Sequence, residues 1–225
     1  MSYMPYPKKY KINENYFKKW SKEMAWVLGI IATDGNIKRN FSRVRIGLQD
    51  KDILIKINKM MESNYPIRKI DFSKYEGWGT WYYQIDICRV KICRDLVELG
   101  VTPRKSQTIK FPSIPKNYLY DFIRGVIDGN GCMFVNKYFY KGRSYKYFRL
   151  TILSGSFKFL DKLKRLLNIK NKICLNSQNC YRLEIPKNIL AIIYSNIGQA
   201  FGQRKYNKWL NYTKEVNKNA ISLSH

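Results

Sequence analysis

The residues that could do chemistry come as a pair. Two apolar stretches, Trp26 to Gly35 and Phe122 to Gly131, carry a glycine at the same inner place (Gly29, Gly125). They end in Asp34-Gly35 and Asn130-Gly131, and the closing glycines lie 96 positions apart in a chain of 225. A carboxylate at the end of an apolar helix suits a hard cation, and the duplication indicates two similar halves meeting at a shared site. The copies differ at one point: an Asn130 amide oxygen can still ligate a hard cation, but it brings no negative charge. The one histidine is His225. Chemistry built on a histidine base or on histidine metal ligands is therefore excluded, which leaves carboxylates, lysines and hard metal ions.

The charge balance narrows the partner. Lys and Arg number 42 against 16 Asp and Glu, a formal charge of +26, in a chain that also holds 18 Tyr and 5 Trp. Such a composition favours a polyanion, with nucleic acid as the leading candidate. No lipidation signal, strongly amphipathic basic helix, signal-peptide core or apolar run of membrane-spanning length stands out, so the expectation is an intracellular, non-secreted protein with no membrane partner. The five cysteines (Cys88, Cys93, Cys132, Cys174, Cys180) are odd in number and form no CxxC pair. They are expected to be reduced core thiols.

The elements that must position Asp34 and Asn130 also occur twice. Ser21 caps a helix running to about Thr33, in which Ala25, Gly29 and Ala32 form a face suited to close approach by another helix. From Arg43 to Leu48, basic and apolar residues alternate as in a half-buried strand. A helix follows from Asp50 or Asp52, then strands near 67–72 and 80–87, then a helix over about 89–99 that stops at Gly100. A proline-punctuated connector covers 104–116. The second half predicts a helix near 117–129, strands near 133–139 and 146–153, a helix capped by Ser156, strands near 172–176 and 180–185, and a helix from about 187 to 195. A further basic helix spans about 204–214. The division reads as a basic arm 1–20, a first half 21–103, the linker 104–116, a second half 117–215 and a tail 216–225.

Paired motifs within duplicated halves resemble the single-chain LAGLIDADG homing endonucleases over about residues 20–215. The resemblance rests on Leu28-Gly29-Ile30-Ile31-Ala32-Thr33-Asp34-Gly35 and Arg124-Gly125-Val126-Ile127-Asp128-Gly129-Asn130-Gly131. It implies an α+β fold of two pseudo-twofold-related αββαββα halves. The motif helices would form the interface through Ala25, Gly29, Ala32 and Gly125, and two four-stranded antiparallel sheets would form a saddle over long double-stranded DNA.

The resemblance also implies a monomeric, intron-associated nuclease that hydrolyses phosphodiester bonds with Mg²⁺ (or Mn²⁺), Ca²⁺ being a non-catalytic substitute. Two such ions can activate water and stabilise the leaving oxygen without histidine. Asp34 and Asn130 would be the metal positions, and Gln49, Lys105 and Lys205 the polar residues near the scissile phosphates. Asn130 makes impaired cutting of at least one strand the expectation. Asp128, about 200° round the helix, is not expected to compensate. Expected DNA contacts are Lys38, Arg39, Arg43, Arg45, Arg68, Tyr82 and Gln84 in the first half, and Lys137, Lys146, Tyr147, Arg149, Gln178 and Arg182 in the second. A non-cleaving DNA-binding regulator and an intron RNA maturase are the alternatives on the same fold.

Overall fold

A computed structural model describes residues 9–71, 81–176, 180–195 and 197–221. The first half runs α1 (Lys22–Asp34), β1 (Gly35–Ile37), β2 (Val44–Leu48), α2 (Lys51–Met60), β3 (Ile67–Asp71), β4 (Trp81–Ile87) and α3 (Val90–Glu98). The second runs α4 (Leu119–Asn130), β5 (Gly131–Tyr140), β6 (Arg143–Ser154), α5 (Phe157–Leu166), β7 (Cys174–Leu175), β8 (Tyr181–Ile185) and α6 (Lys187–Ile193). The last helix, α7, spans Gln203–Ile221 and so continues past residue 215. Each half forms a four-stranded antiparallel sheet of the same order, β1-β2-β4-β3 and β5-β6-β8-β7. The α+β architecture of two repeated halves is as the sequence predicts.

The two motif helices organise this arrangement. The Ser21 Oγ accepts the Met24 N–H at 3.1 Å, and Glu23 lies in the first turn, where a carboxylate complements the helix dipole. Met24 through Ala32 are all buried, as expected of a helix that is apolar all round. α1 packs against α4 at the paired glycines. A Cβ at Gly29 would lie 2.2 Å from the Phe122 carbonyl oxygen, and one at Gly125 would lie 2.1 Å from that of Trp26. Backbone therefore meets backbone, which no larger residue allows. Ala25 and Ala32 are buried alongside.

Most polar groups on buried α4 are engaged, although among the described residues Asp128 Oδ1 is buried without a hydrogen-bond partner. Arg124 pairs with Asp121 at 3.0 Å and donates to the carbonyls of Ile193, Ile197 and Ala200, tying α4 to α6 and the segment after it. Asp128 Oδ2 accepts from Trp26 Nε1 of α1 at 2.8 Å and from the Gly202 N–H at 2.7 Å. That carboxyl, pushed up to about 6 by burial, is committed to the helix seam.

Alternation sets the inner and outer faces of the sheets. On β2, Val44, Ile46 and Leu48 are buried, while Arg45 and Gly47 face outward opposite Asp86 and Gln84 of β4. The inner residues share one apolar core with Ile53, Leu54 and Ile57 of α2, with α1 and α4, and with their second-half counterparts Leu150, Ile152, Leu183 and Ile185. The connector packs onto the second half. Phe111 lies 5.1 Å from the Phe122 ring and 5.3 Å from Phe159, and the Ser156 Oγ donates to the Ile109 carbonyl at 2.6 Å.

The cysteine expectation needs correcting. All five thiols are free, but only Cys93 is buried; Cys132 and Cys180 are half-buried, and Cys88 and Cys174 are exposed. Short edge strands and strand ends, rather than the core, hold the remaining thiols. Among the described residues no helix is long and apolar enough to cross a membrane.

Candidate nucleic-acid interface and active centre

The ends of α1 and α4 adjoin, setting Asp34 against Gly129, the residue before Asn130. Gly129 is the contact point: a Cβ there would lie 2.0 Å from Thr33 Oγ1 and 2.3 Å from Asp34 Oδ2. Aligning the two motif copies sets Gly129 opposite Thr33, so the sequence held this asymmetry, although nothing in the motif alone disclosed its purpose. The Thr33 hydroxyl has one proton and three takers, the Ile30 carbonyl oxygen at 2.9 Å, Asp34 Oδ2 at 3.0 Å and the Gly29 carbonyl oxygen at 3.3 Å. Burial holds the Asp34 carboxyl above its ordinary value, against the opposing pull of Thr33, Lys105 and Lys205. Asn130 donates from Nδ2 to the Leu153 carbonyl at 3.2 Å, so its Oδ1 is the atom it can offer elsewhere.

Lys105 and Lys205 both reach this centre, although each is buried rather than displayed. The Lys105 ammonium donates to the Thr33 carbonyl at 2.8 Å, and burial brings its pKa down to about 8 despite Asp34 nearby. Lys205 donates to the carbonyls of Ile127 and Asp128, both at 2.7 Å, and of Gly129 at 3.1 Å. Burial lowers its pKa as well. Each lysine thus sits at the negative end of a motif helix dipole, where last-turn carbonyls lack intrahelical partners. Thr33 belongs to the last turn of α1, and the other three carbonyls belong to that of α4.

Two shallow cavities flank the centre, and they are not equivalent. One of about 270 Å³ is lined by Asp34, Gln49, Asp50, Tyr82, Gly129 and Arg204. The other, of about 470 Å³, is lined by Asn130, Lys105, Ser106, Ser154, Gly155 and Cys180. Gln49 thus lines the cavity of Asp34, and Ser154 and Gly155 line that of Asn130. Sequence reading missed the clamp across the first cavity. Arg204 donates to Asp50 from Nε at 2.7 Å and from Nη2 at 2.9 Å, joining residues 154 positions apart. No local pattern signals such a pair.

Several of the expected DNA contacts are placed otherwise than their residue types suggest. Lys38, Arg39 and Arg182 are exposed, and Gln178 lies outside the described residues. Arg43, Arg45 and Arg68 converge on Asp86, at 3.4 Å and 2.9 Å for the first two and in direct contact for the third. Gln84 is buried within the same network. It donates to Asp86 Oδ2 at 2.7 Å and accepts from the Tyr82 hydroxyl at 3.1 Å, while Tyr82 covers Gly47. In the second half the strand register separates the candidates. Lys137 pairs with Lys146 on the face shared by Val135 and Phe148, whereas Tyr147 and Arg149 face the other way. Consecutive residues 146 and 147 cannot share a face of a strand, so Lys146 and Tyr147 cannot both face DNA. Tyr147 donates to Glu184 at 2.8 Å, and Arg149 pairs with the same carboxylate at 3.3 Å.

Asp86 gives a pH-dependent test of this network. Burial alone would raise its carboxyl, but the hydrogen bond and charge of Arg45, with Arg43 and Gln84, hold it below the ordinary carboxylate range. Its contribution to stability is present above the unfolded value, near pH 4, and is lost as pH falls through the folded value. Asp86→Asn is expected to cost about 1–2 kcal/mol at pH 7, since the arginines are partly solvated, with the gap to the unaltered chain closing at pH 3. Urea unfolding at the two pH values measures it; an equal loss at both would assign the effect to packing.

Two pseudo-symmetric halves, each an antiparallel sheet backed by helices, joined through paired motif helices whose ends hold Asp34 and Asn130, define the LAGLIDADG two-half fold. The comparison with solved structures agrees. The chain is similar to the LAGLIDADG meganuclease I-AabMI bound to uncleaved DNA, with TM-score 0.57 and 10% identity over 89% of this chain and 92% of that one. It is similar to the I-LtrWI LAGLIDADG homing endonuclease bound to target DNA, with TM-score 0.56 and 13% identity over 92% of each chain. It is also similar to full-length DUF199/WhiA from Thermatoga maritima, with TM-score 0.54 and 18% identity over 94% of this chain and 70% of that one. No protein-family model and no curated protein sequence matches the chain. At these identities the likeness establishes the fold.

Proposed function

We propose that the chain binds a long double-stranded DNA site along the outward faces of both sheets and hydrolyses a phosphodiester bond beside Asp34 with a divalent cation. Asn130 leaves the companion strand poorly cut or uncut. The observation that supports this reading is the close approach of Asp34, at the end of α1, to Gly129, the residue before Asn130 at the end of α4, with Lys105 and Lys205 acting on the Asp34 carboxyl.

The donor chemistry fits a hard divalent cation on the Asp34 side. Its carboxylate is half-buried and raised above its ordinary value, and the Asn130 Oδ1 and nearby backbone oxygens are hard ligands of the kind Mg²⁺ takes. Among the described residues no three His, Cys, Asp or Glu side chains converge, so further ligands would come from water and the phosphate. Mg²⁺ or Mn²⁺, when bound, supplies Lewis-acid polarisation and a water of lowered pKa. The chain's own residues do the rest. Lys105 and Lys205 present positive charge to the phosphate, Gln49 borders the Asp34 cavity from the end of β2, and the Arg204–Asp50 clamp fixes that cavity's wall. Both halves lie in one chain, so one copy suffices.

A second reading, a DNA-binding regulator that does not cut, is favoured by Asn130 itself, because the two motif ends, Asp34 and Asn130, then carry one carboxylate between them. Both readings require duplex binding. Selection from a randomised duplex pool in Ca²⁺ is expected to enrich one non-palindromic site, because the two sheets present different side chains. Affinity for that site should fall steeply with salt. The absence of any enriched sequence would overturn both readings.

A further inference from the structure

After α3 and after α6 the chain carries the same dipeptide, Arg104-Lys105 and Arg204-Lys205, and each lysine reaches the end of a motif helix. The two arginines differ. Arg104 is exposed and does not line the Asn130 cavity. Arg204 lines the Asp34 cavity, and its Nε and Nη2 are held by the two oxygens of Asp50. On the Asn130 side backbone closes the seam instead: a Cβ at Gly155 would lie 2.6 Å from the Ser106 carbonyl oxygen. Ser156 has the N-cap place on α5 that Asp50 has on α2, and it donates to the Ile109 carbonyl.

Stability does not account for the Arg204–Asp50 pair. The Arg204 side chain is 60% exposed against 15% for Asp50, and an ion pair so open to solvent adds little. The junction of α7 with α2 is also tethered without it. The Gln203 N–H donates to Asp52 Oδ2 at 3.2 Å, and Lys56 donates to the Phe201 carbonyl at 2.8 Å while lying 4.0 Å from that ring. A guanidinium has five N–H donors in one plane, and Asp50 takes the edge formed by Nε and Nη2. The end formed by Nη1 and the second Nη2 proton keeps the planar fork that matches a phosphate.

We infer that Arg204 is a catalytic residue of the Asp34 half-site: Asp50 holds one edge of its guanidinium, and the other end binds the phosphate cut there. This inference rests on the proposed nuclease function and deepens it. In that hydrolysis the hydroxyl of water joins phosphorus and its proton passes to solvent. The bond from phosphorus to one sugar oxygen breaks, and that oxygen takes up a proton. Arg204 exchanges no proton; it balances the charge that gathers on the remaining phosphoryl oxygens. Asp50 is a positioning residue, because it acts through Arg204. The half-site is thus assembled from both halves of the chain, with Asp34, Gln49 and Asp50 from one and Arg204 from the other. Among the described residues, the lining of the Asn130 cavity holds Lys105 and no arginine.

The test is a thermodynamic cycle on the full chain and its selected duplex in Ca²⁺, with one central phosphate at a time replaced by an uncharged methylphosphonate. Neutralising one phosphate of one strand is expected to weaken the unaltered chain about tenfold, the size of a hydrogen bond to a charged group. R204A should lose about as much on the unmodified duplex, and less than about twofold more when that phosphate is neutralised. R104A, which removes the same charge from the exposed counterpart, should keep the whole methylphosphonate loss. R204K, a point charge without the fork, should regain part of the affinity but little of the cutting. In Mg²⁺ and the Asn130→Asp background, R204A should lower kcat for the strand beside Asp34 on the order of 10²-fold. D50N should lower it about tenfold with KM little changed. Losses from R204A and methylphosphonate that add at every phosphate would overturn the inference and leave Arg204 a tether of α7. So would a bound duplex indifferent to neutralisation at every position. A chain that binds but never cuts fails at the nuclease reading, and the cycle still decides the phosphate contact. A chain that enriches no duplex fails at the proposed function before any variant is made.

Discussion

Asn130→Asp is expected to turn a chain that cuts one strand slowly, or neither, into one that cuts both in Mg²⁺. Cleavage of the second strand should gain on the order of 10²-fold, the size associated with a single charge-stabilising group in a catalytic centre. The scaffold already suits the change. Asp and Asn have the same shape, Asn130 is half-buried, and its one hydrogen bond runs from Nδ2 to the Leu153 carbonyl. The new carboxylate would lose that bond and set a second oxygen against the carbonyl, a local cost that a bound cation and the ammonium of Lys105 across the cavity offset. Asp128 does not stand in for Asn130: Trp26 and Gly202 hold its Oδ2 in the seam, and the residue lines the Asp34 cavity rather than that of Asn130. The measurement is nicked against linear product from a supercoiled plasmid bearing the selected site. Tight binding with no cutting by the Asn130→Asp chain would sink the nuclease reading and leave the regulator.

Gly125→Ala is expected to destabilise the fold by about 3 kcal/mol or more, although alanine is the better helix former by about 1 kcal/mol. The sign follows from what the added methyl would meet. The obstacle is the Trp26 carbonyl oxygen, 2.1 Å from the ideal Cβ, with the Gly29 Cα 3.0 Å away. These are backbone atoms of a buried helix and cannot rotate aside, so the helices must separate. Separation also loosens the Trp26–Asp128 bond across the seam and moves Asp34 away from Gly129. Urea unfolding should therefore show a lower midpoint, and any cutting by the Asn130→Asp chain should fall with it. An unfolding midpoint equal to that of the unaltered chain would show that the helices are not in contact at these glycines.

Much of this was legible in the chain because it depends on local periodicity. Alternation along Val44–Leu48 and Trp81–Ile87 sets which residues face inward, and the burial of Val44, Ile46, Ile85 and Ile87 follows it. Mid-helix glycines in duplicated motifs announced a close helix contact, and the aligned motif ends lie together, Asp34 against Gly129. The length of the β5–β6 hairpin was less visible. Its outer residues have no core to impose an inside, so the apolar periodicity fades before the strand ends.

By itself, then, the sequence determined the duplicated architecture, the helix seam, the pair of oxygen-bearing residues and the excess positive charge. Tertiary structure decided which of those charges are available. Asp86 gathers Arg43, Arg45 and Arg68, Glu184 takes Tyr147 and Arg149, and Lys146 turns to Glu215. Lys105 and Lys205 are drawn inward to the carbonyls of the motif helix ends. The physical reason is the same in each case. A charge goes to the nearest partner that burial leaves unsatisfied, and that partner comes from strand register and chain path across tens of residues rather than from neighbours in sequence.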